Sequence, residues 1–474
     1  MSGEARRGGP DALGLRAADA GGVGAGRATQ GGGPEGGAAI DPASAGRAAP
    51  DRAPDGRVPE GAARPATGGM PAAPAPAAPW LDVVGIGEDG VAGLAPAARA
   101  ALEAAEVVVG GDRHHRLSDA VAAERIAWPH PFDALVDRLR ALRGRRLVVL
   151  ATGDPLWFSV GARLARALGE GAIAFHPQVS AFQLAACRLG WSLADVETLT
   201  AHGRPVEGLI PFVAPGRRIL VLAGGAETPA ALARLLVERG YGPSRIVALA
   251  AMGGPREGRW EATAEAWGPE VPPFHTLAVE CVAGEGAVVH GATGLPDDAF
   301  AHDGTMTKSE IRAVTLARLN PQRGAMLWDI GTGCGSVSVE WMRAARDARA
   351  VGVEPRADRR ALAARNAAAL GAPRLELVAG RAPEALAGLP SPDAVFLGGG
   401  ISEGTAEACL AALRPFGRLV ANAVTLESEA VLGALHARHG GDLVRLQVSR
   451  AEGLGARRGW RAHMPVTQWS LVRR

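Results

Sequence analysis

Two glycine-rich turns, each running straight out of an apolar stretch, constrain this chain more than any other feature. Residues 83–90 read Val-Val-Gly-Ile-Gly-Glu-Asp-Gly, and residues 329–335 read Asp-Ile-Gly-Thr-Gly-Cys-Gly. Glycine lets the backbone turn sharply and approach a ligand with no Cβ in the way. Turns of this kind belong to alternating strand–helix folds, in which ligands sit at the carboxyl ends of parallel strands. Two of them, far apart, imply two small-molecule sites and hence two catalytic units fused in one polypeptide. A length of 474 residues leaves room for about three domains.

Residues 1–79 are Gly, Ala, Pro, Arg and Asp with almost no large apolar side chains. Such a segment cannot bury enough surface to offset its ordering entropy, and disorder is expected there; translation from Met70 is the alternative reading. From Trp80 the pattern becomes α/β. Leu81–Gly85 reads as a strand, Pro96–Ala105 as a helix and Val107–Val109 as a strand. Leu147–Ala151 is a strand that stops at Thr152-Gly153-Asp154-Pro155, and Ser180–Leu189 is a helix. A first lobe is expected over residues 80–194 and a second over 195–290. A linker over 291–301 then leads to a third α/β unit over 302–474. In that unit a helix runs over Lys308–Leu319, and strand Met326–Ile330 enters the second glycine turn. Strand Ala350–Val353 ends at Glu354, and Ala394–Leu397 runs into Gly398-Gly399-Gly400.

The third unit has glycines at 331, 333 and 335, Asp329 just before them, and Glu354 21 positions after Gly333. A carboxylate about 20 residues beyond such a turn is placed to hold ribose hydroxyls. This packed glycine form is similar to class I S-adenosylmethionine methyltransferases. The resemblance implies that Gly331, Thr332, Gly333, Cys334 and Gly335 cradle the methionine part, with Asp329 at the pocket edge. It implies Glu354 on the ribose, Gly380 and Ala382 along the adenine edge, and Thr307 beside them. The words His302–Arg312, Trp328–Gly331, Gly398–Gly400 and Asn422–Glu427 closely resemble the precorrin decarboxylating methyltransferases of cobalamin synthesis, over about residues 302–474. Lys308 is the only lysine in a chain that otherwise uses arginine. Lys308 and Arg312 stand at i, i+4 and so share a helix face. That face is expected to position substrate carboxylates, which arginine binds bidentately; Arg113, Arg204 and Arg450 are further candidates by position.

Residues 80–290 resemble the tetrapyrrole (class III) methyltransferases. The resemblance rests on Val84-Gly85-Ile86-Gly87, Gly110-Gly111-Asp112-Arg113-His114, Thr152-Gly153-Asp154-Pro155, Val179 to Leu184, His202-Gly203-Arg204 and Thr228-Pro229. It implies S-adenosylmethionine folded into a cleft between two α/β lobes, with Gly85, Gly87, Gly153, Asp154, Pro155, Ser180 and Thr228 as cofactor contacts. Glu88 and Asp89 depart from the family's first loop and add negative charge to it. His114 and His115 nearby could serve as acid–base groups, but paired surface histidines in a turn are the plainer reading.

The two resemblances together imply a bifunctional enzyme of corrin-ring biosynthesis. It would use two S-adenosylmethionine sites, methylate precorrin-6 at ring carbons 5 and 15 and remove the ring C acetate carboxyl, giving precorrin-8. A homo-oligomer in the cytoplasm, with neighbouring corrin-pathway enzymes as partners, is the expected setting. A net charge of +2 and 4% aromatic residues argue against an RNA-modifying fusion. Intact glycine turns argue against a mere tetrapyrrole carrier. Cys187, Cys281, Cys334 and Cys409 form no C-x-x-C pair and read as reduced thiols. No metal-ligand cluster stands out and no metal is expected. No run reaches the ~18 apolar residues of a membrane span, and no secretory leader is read.

Overall fold

The structure is a computed structural model, and it describes residues 78–129, 131, 134–169 and 171–474. The disorder expected of the first 79 residues falls almost wholly outside them. The described residues fall in one compact unit.

The first sheet is built from β1 (Leu81–Ile86), α1 (Pro96–Glu103), β2 (Val107–Gly110), α2 (Asp112–Leu117), β3 (Glu124–Ala127), α3 (Ala134–Ala141), β4 (Leu147–Thr152), α4 (Val160–Leu168) and β5 (Ile173–His176). Its strands are all parallel, in the order β3-β2-β4-β1-β5. The central strands are nearly continuous apolar runs because both faces are covered. Leu81, Val83, Val107, Val109, Leu147 and Val149 pack on one side. Val84, Ile86, Val108, Val148 and Leu150 pack on the other.

The next helix, α5 (Ala181–Leu189), departs from expectation. It belongs with the second sheet rather than the first lobe, because Phe182, Ala185 and Ala186 pack against Leu220, Val247 and Ala278. That sheet holds β6 (Glu197–Thr200), β7 (Arg218–Leu222), β8 (Arg245–Ala250), β9 (Gly258–Thr263) and β10 (His275–Glu280), with α6 (Thr228–Glu238) after β7. The order is β6-β7-β10-β8-β9, and only the β6–β7 pair is parallel.

The third sheet follows α7 (Ser309–Leu319). Its elements are β11 (Met326–Ile330), α8 (Ser336–Ala344), β12 (Arg349–Val353), α9 (Ala357–Ala369), β13 (Glu376–Val378), β14 (Ala394–Leu397), α10 (Glu403–Ala412), β15 (Arg418–Ala423), α11 (Leu426–His439) and β16 (Asp442–Leu446). β17 (Ser449–Leu454) and β18 (Arg457–Ala462) form a separate two-stranded hairpin, and a last strand just after it, β19 (Val466–Val472), completes the sheet. The order is β13-β12-β11-β14-β15-β19-β16, with β19 antiparallel between its neighbours. The chain reverses winding direction between β11 and β14, the crevice where open α/β sheets bind ligands.

The expected linker is fastened to this third unit. Leu295 and Phe300 are buried against Val339, Ala367 and Leu370. Arg312 donates to Glu340 Oε1 at 2.6 Å, and Glu340 Oε2 accepts from Gly294 N at 2.7 Å.

Candidate functional sites

The larger cleft, about 890 Å³, opens at the β11–β14 crevice. The second glycine turn forms one wall and the Gly398–Gly400 turn after β14 another. The two turns lie back to back: a Cβ on Gly331 would sit 2.8 Å from Gly399 Cα. Gly331, Gly333 and Gly335 all have positive φ, at 72°, 57° and 79°. Of the residues read from sequence, Thr307, Lys308, Asp329, Gly331, Thr332, Gly333, Cys334, Glu354, Gly380 and Ala382 line this cleft. Gly335 does not. It caps α8, and its missing Cβ makes room for Ala363 of α9, so it is a packing glycine.

Asp329 ends β11 and is 1% exposed. Its Oδ2 accepts from Ser338 Oγ at 2.6 Å, Thr332 Oγ1 at 2.7 Å and Ser338 N at 3.2 Å. Its Oδ1 is buried without a hydrogen-bond partner. Burial drives its pKa upward, opposed by the Ser338 and Thr332 hydrogen bonds. Glu354, at the end of β12, accepts from Gly333 N and from Arg356 N, each at 3.1 Å. Two buried carboxylates around a glycine turn make a cleft floor that favours a cation with hydroxyl or ammonium donors. The Cys334 thiol is buried and its pKa raised, so it stays protonated and unreactive.

Arg312 overturns the shared-face expectation. Its side chain is 0% exposed. Besides Glu340 it bonds Thr307 O at 2.6 Å, Asp297 Oδ1 at 3.3 Å and Leu295 O. It lies on the inner side of α7, and a charge there must be paired to be tolerated. Arg450 is likewise spent on Glu310 and Asp297. Lys308 precedes the helix, lines the cleft and has no side-chain partner among the described residues. The sequence reading missed Arg381, Arg461 and His463, which also line the cleft. Two of these come from the β17–β18 hairpin and its exit.

The second cleft, about 570 Å³, lies between the first two sheets. Gly87, Gly153, Asp154 and Ser180 line it. Gly85, Pro155 and Thr228 stand behind its wall instead. A Cβ on Gly85 would fall 1.9 Å from Gly153 O, so this glycine lets the β1 and β4 turns meet. Pro155 is buried. Thr228 Oγ1 accepts from Gly224 N and Gly225 N at 3.0 and 3.1 Å and shapes a turn. Ser180 caps α5 by accepting from Gln183 N, and Asp154 Oδ1 accepts from Leu156 N at 2.8 Å.

The extra charge at Glu88 is neutralised by Arg113, 2.6 Å away. Arg113 also bonds Thr152 Oγ1 and lies over the Phe274 ring. His114 Nδ1 accepts from Gly111 N, which leaves Nε2 as the donor to Thr152 Oγ1 at 3.0 Å. Burial lowers its pKa to about 4, so it is neutral and structural rather than an acid. His115 bonds the Ile126 carbonyl outside the cleft. His275, missed in the sequence, lines the cleft. Its Nδ1 donates to Pro272 O at 2.7 Å, and its buried Nε2 has no partner.

Two family profiles match the chain: Tetrapyrrole (Corrin/Porphyrin) Methylases over residues 81–267, and Precorrin methyltransferase domain over residues 298–473. A Sinorhizobium protein named precorrin-6Y C(5,15)-methyltransferase (decarboxylating) is 46% identical over 404 residues, covering 84% of this chain and 98% of its own. This chain belongs to the decarboxylating precorrin-6Y C(5,15)-methyltransferase family. A Mycobacterium tuberculosis protein of the same name is 42% identical over 395 residues, covering 83% of this chain and 99% of its own. The solved C-terminal domain of precorrin-6Y C5,15-methyltransferase from Rhodobacter capsulatus is 53% identical; it covers 39% of this chain and 100% of its own, with a TM-score of 0.37. The chain is therefore a decarboxylating, S-adenosylmethionine-dependent methyltransferase. The residues of the larger cleft fit that cofactor. Asp329 Oδ1 is buried without a hydrogen-bond partner, and each Glu354 oxygen accepts from one backbone N–H. No described helix is long and apolar enough to cross a membrane, and no metal-holding group of His, Cys, Asp or Glu is found among the described residues.

Proposed function

We propose that this chain methylates precorrin-6 at ring carbons 5 and 15 and removes the ring C acetate carboxyl as carbon dioxide, giving precorrin-8, with one S-adenosylmethionine site in each cleft. The observation that carries this reading is the pair of separate glycine-walled clefts, one inside the precorrin methyltransferase match and the other lined mostly by the tetrapyrrole methylase match, with Phe274, His275 and Thr276 just beyond it. The C-terminal unit takes the decarboxylation and carbon 15, and the N-terminal unit takes carbon 5. S-adenosylmethionine, when bound, supplies a methyl group already activated on a positive sulfur. The protein's task is then chiefly positioning, with the reacting atoms held about 3–3.5 Å apart. In the larger cleft Asp329 and Glu354 favour the cationic cofactor, and Lys308 with Arg381 faces substrate carboxylates. Replacing a ring C–H by C–CH₃ releases a proton. In the smaller cleft His275 is the candidate acceptor, because the bond to Pro272 O fixes Nδ1 as the protonated nitrogen and leaves Nε2 with a free lone pair.

The test is mass spectrometry of purified protein with S-adenosylmethionine and reduced precorrin-6. Gain of two methylene units with loss of one carbon dioxide is the expected result. Gain of one methylene with that loss would leave the N-terminal half inactive, and an unchanged mass would overturn the reading. Calorimetry is expected to count two cofactor sites per chain. Light scattering tests whether the protein is a homo-oligomer.

A further inference from the structure

A third cavity, about 240 Å³, lies between the N-terminal lobes and the C-terminal unit. It is walled by the end of β6, the turn through Arg204, the C-terminal end of α8 and the loop before β13. Four arginines line it: Arg204, Arg343, Arg346 and Arg374. Asp347 is the only carboxylate among its lining residues. Arg204 reaches that carboxylate at 3.3 Å and Arg374 at 4.0 Å, and Arg323 adds a third contact at 3.8 Å from outside the lining. Arg343 and Arg346 spend donors on backbone carbonyls and keep their charge. One aspartate thus faces several guanidinium groups, and the cavity holds uncompensated positive charge. Arg374 registers this: its pKa is lowered by burial first and by repulsion from Arg204 next.

Phe158 joins this cavity to the chemistry. It lines both the smaller cleft and the arginine cavity, so one aromatic ring is their common wall. Its φ is 52°, a left-handed conformation rare for an aromatic residue and one that concentrates at functional sites. The Arg204 guanidinium sits 5.8 Å from its ring centroid. Asp347, at the centre of the arginines, has a φ of 60°. Phe158 and Asp347, both with positive φ, thus line the same cavity. A cavity of this size is below the ~300–1,000 Å³ of small-molecule sites. It is too small for a macrocycle and suits a single carboxylate arm.

We propose that the interdomain cavity is a carboxylate subsite of the N-terminal cleft. It receives a side-chain carboxylate of the tetrapyrrole across Phe158, in bidentate contact with Arg374 and Arg204 in place of Asp347. This rests on the N-terminal methyl transfer proposed above. The rival explanation is that these arginines only glue the two units together through Asp347. The two explanations predict opposite effects for Asp347. As a receptor competitor, its neutralisation frees the arginines; as glue, its neutralisation breaks the same bonds as removing an arginine.

The experiment uses the full chain and the decarboxylated, singly methylated tetrapyrrole as substrate for the second methylation. Arg374→Gln is expected to raise KM roughly tenfold with kcat little changed, the pattern of lost uniform binding. Asp347→Asn is expected to lower KM. The decarboxylating first methylation, measured in the same samples, reports whether the chain is intact. An unchanged KM in Arg374→Gln, or a raised KM with a lowered melting temperature in Asp347→Asn, overturns the subsite. Added propionate that inhibits only the first methylation also overturns it. A wild-type chain that performs the first methylation but never the second overturns the functional reading instead.

Discussion

Gly331 and Gly333 share one turn, and both have positive φ, yet alanine at the two positions should fail in different ways. An L-residue in the left-handed region costs about 1–2 kcal/mol, so both substitutions carry that penalty. At Gly331 the new Cβ would also meet Gly399 Cα and N at 2.8 and 2.9 Å, backbone atoms that cannot swing away. Overpacking of this kind adds about 1–3 kcal/mol. Gly331→Ala should therefore cost about 2–5 kcal/mol, and Gly333→Ala about 1–2 kcal/mol. At roughly 2–4 °C per kcal/mol, calorimetry should separate the two melting temperatures. The Gly333 Cβ has only Gly331 O within reach, at 3.9 Å, and projects where the cofactor would lie. Gly333→Ala should therefore keep its fold and lose at least about tenfold in S-adenosylmethionine affinity at one site, with the N-terminal site unaffected. Equal melting temperatures for the two variants would refute the back-to-back packing of the turns. Full two-site binding in Gly333→Ala would refute the cofactor assignment of this loop.

Perturbations at four other residues probe single features. Lys308→Ala should leave stability within about 0.5 kcal/mol and raise KM for the decarboxylating step, read by carbon dioxide release. Arg312→Ala should cost about 3–5 kcal/mol, because Glu340 would be left charged and buried, and urea unfolding measures it. His275→Gln should slow the second methylation without altering the first. Burial lowers the His275 pKa, so wild-type rate should hold as pH falls through 6.5. His114 binds a proton below about 4 when folded but below 6.5 when unfolded, so acid favours the unfolded chain between those values. Stability should fall from pH 6.5 towards 4 by up to about 3 kcal/mol, and His114→Gln should flatten that slope.

The sequence made the parallel cores legible because their strands are buried on both faces and spell continuous apolar runs. The glycine turns and Glu354 were legible because the ligand's size fixes their spacing along the chain. Other features depend on distant partners. The inward face of Arg312 follows from Glu340, on another helix, and helical spacing alone shows only which residues share a face. The α5 helix follows the first sheet in sequence but packs on the second, a choice made by Leu220, Val247 and Ala278. The β17–β18 hairpin went unread because nearly all of its residues are exposed, so no apolar alternation marks it. Gly85, Pro155, Thr228 and Gly335 belong to recognisable motifs. Whether a motif residue touches ligand or supports the wall behind it depends on contacts that the motif does not spell out.

The clasp of Glu340 and Arg312 on Gly294 and Leu295 has a kinetic consequence. With one active site in each cleft, as proposed above, a loose tether would let the two wander, and an intermediate leaving one would find the other little faster than it finds solvent. Fastening Gly294 and Leu295 to the C-terminal unit shortens the free connection to the N-terminal lobes, which raises the effective concentration of one site's product at the other towards the millimolar range expected of short connections. That concentration belongs to the molecule rather than to the solution. The fraction of intermediate captured before escape should therefore stay constant as the enzyme is diluted.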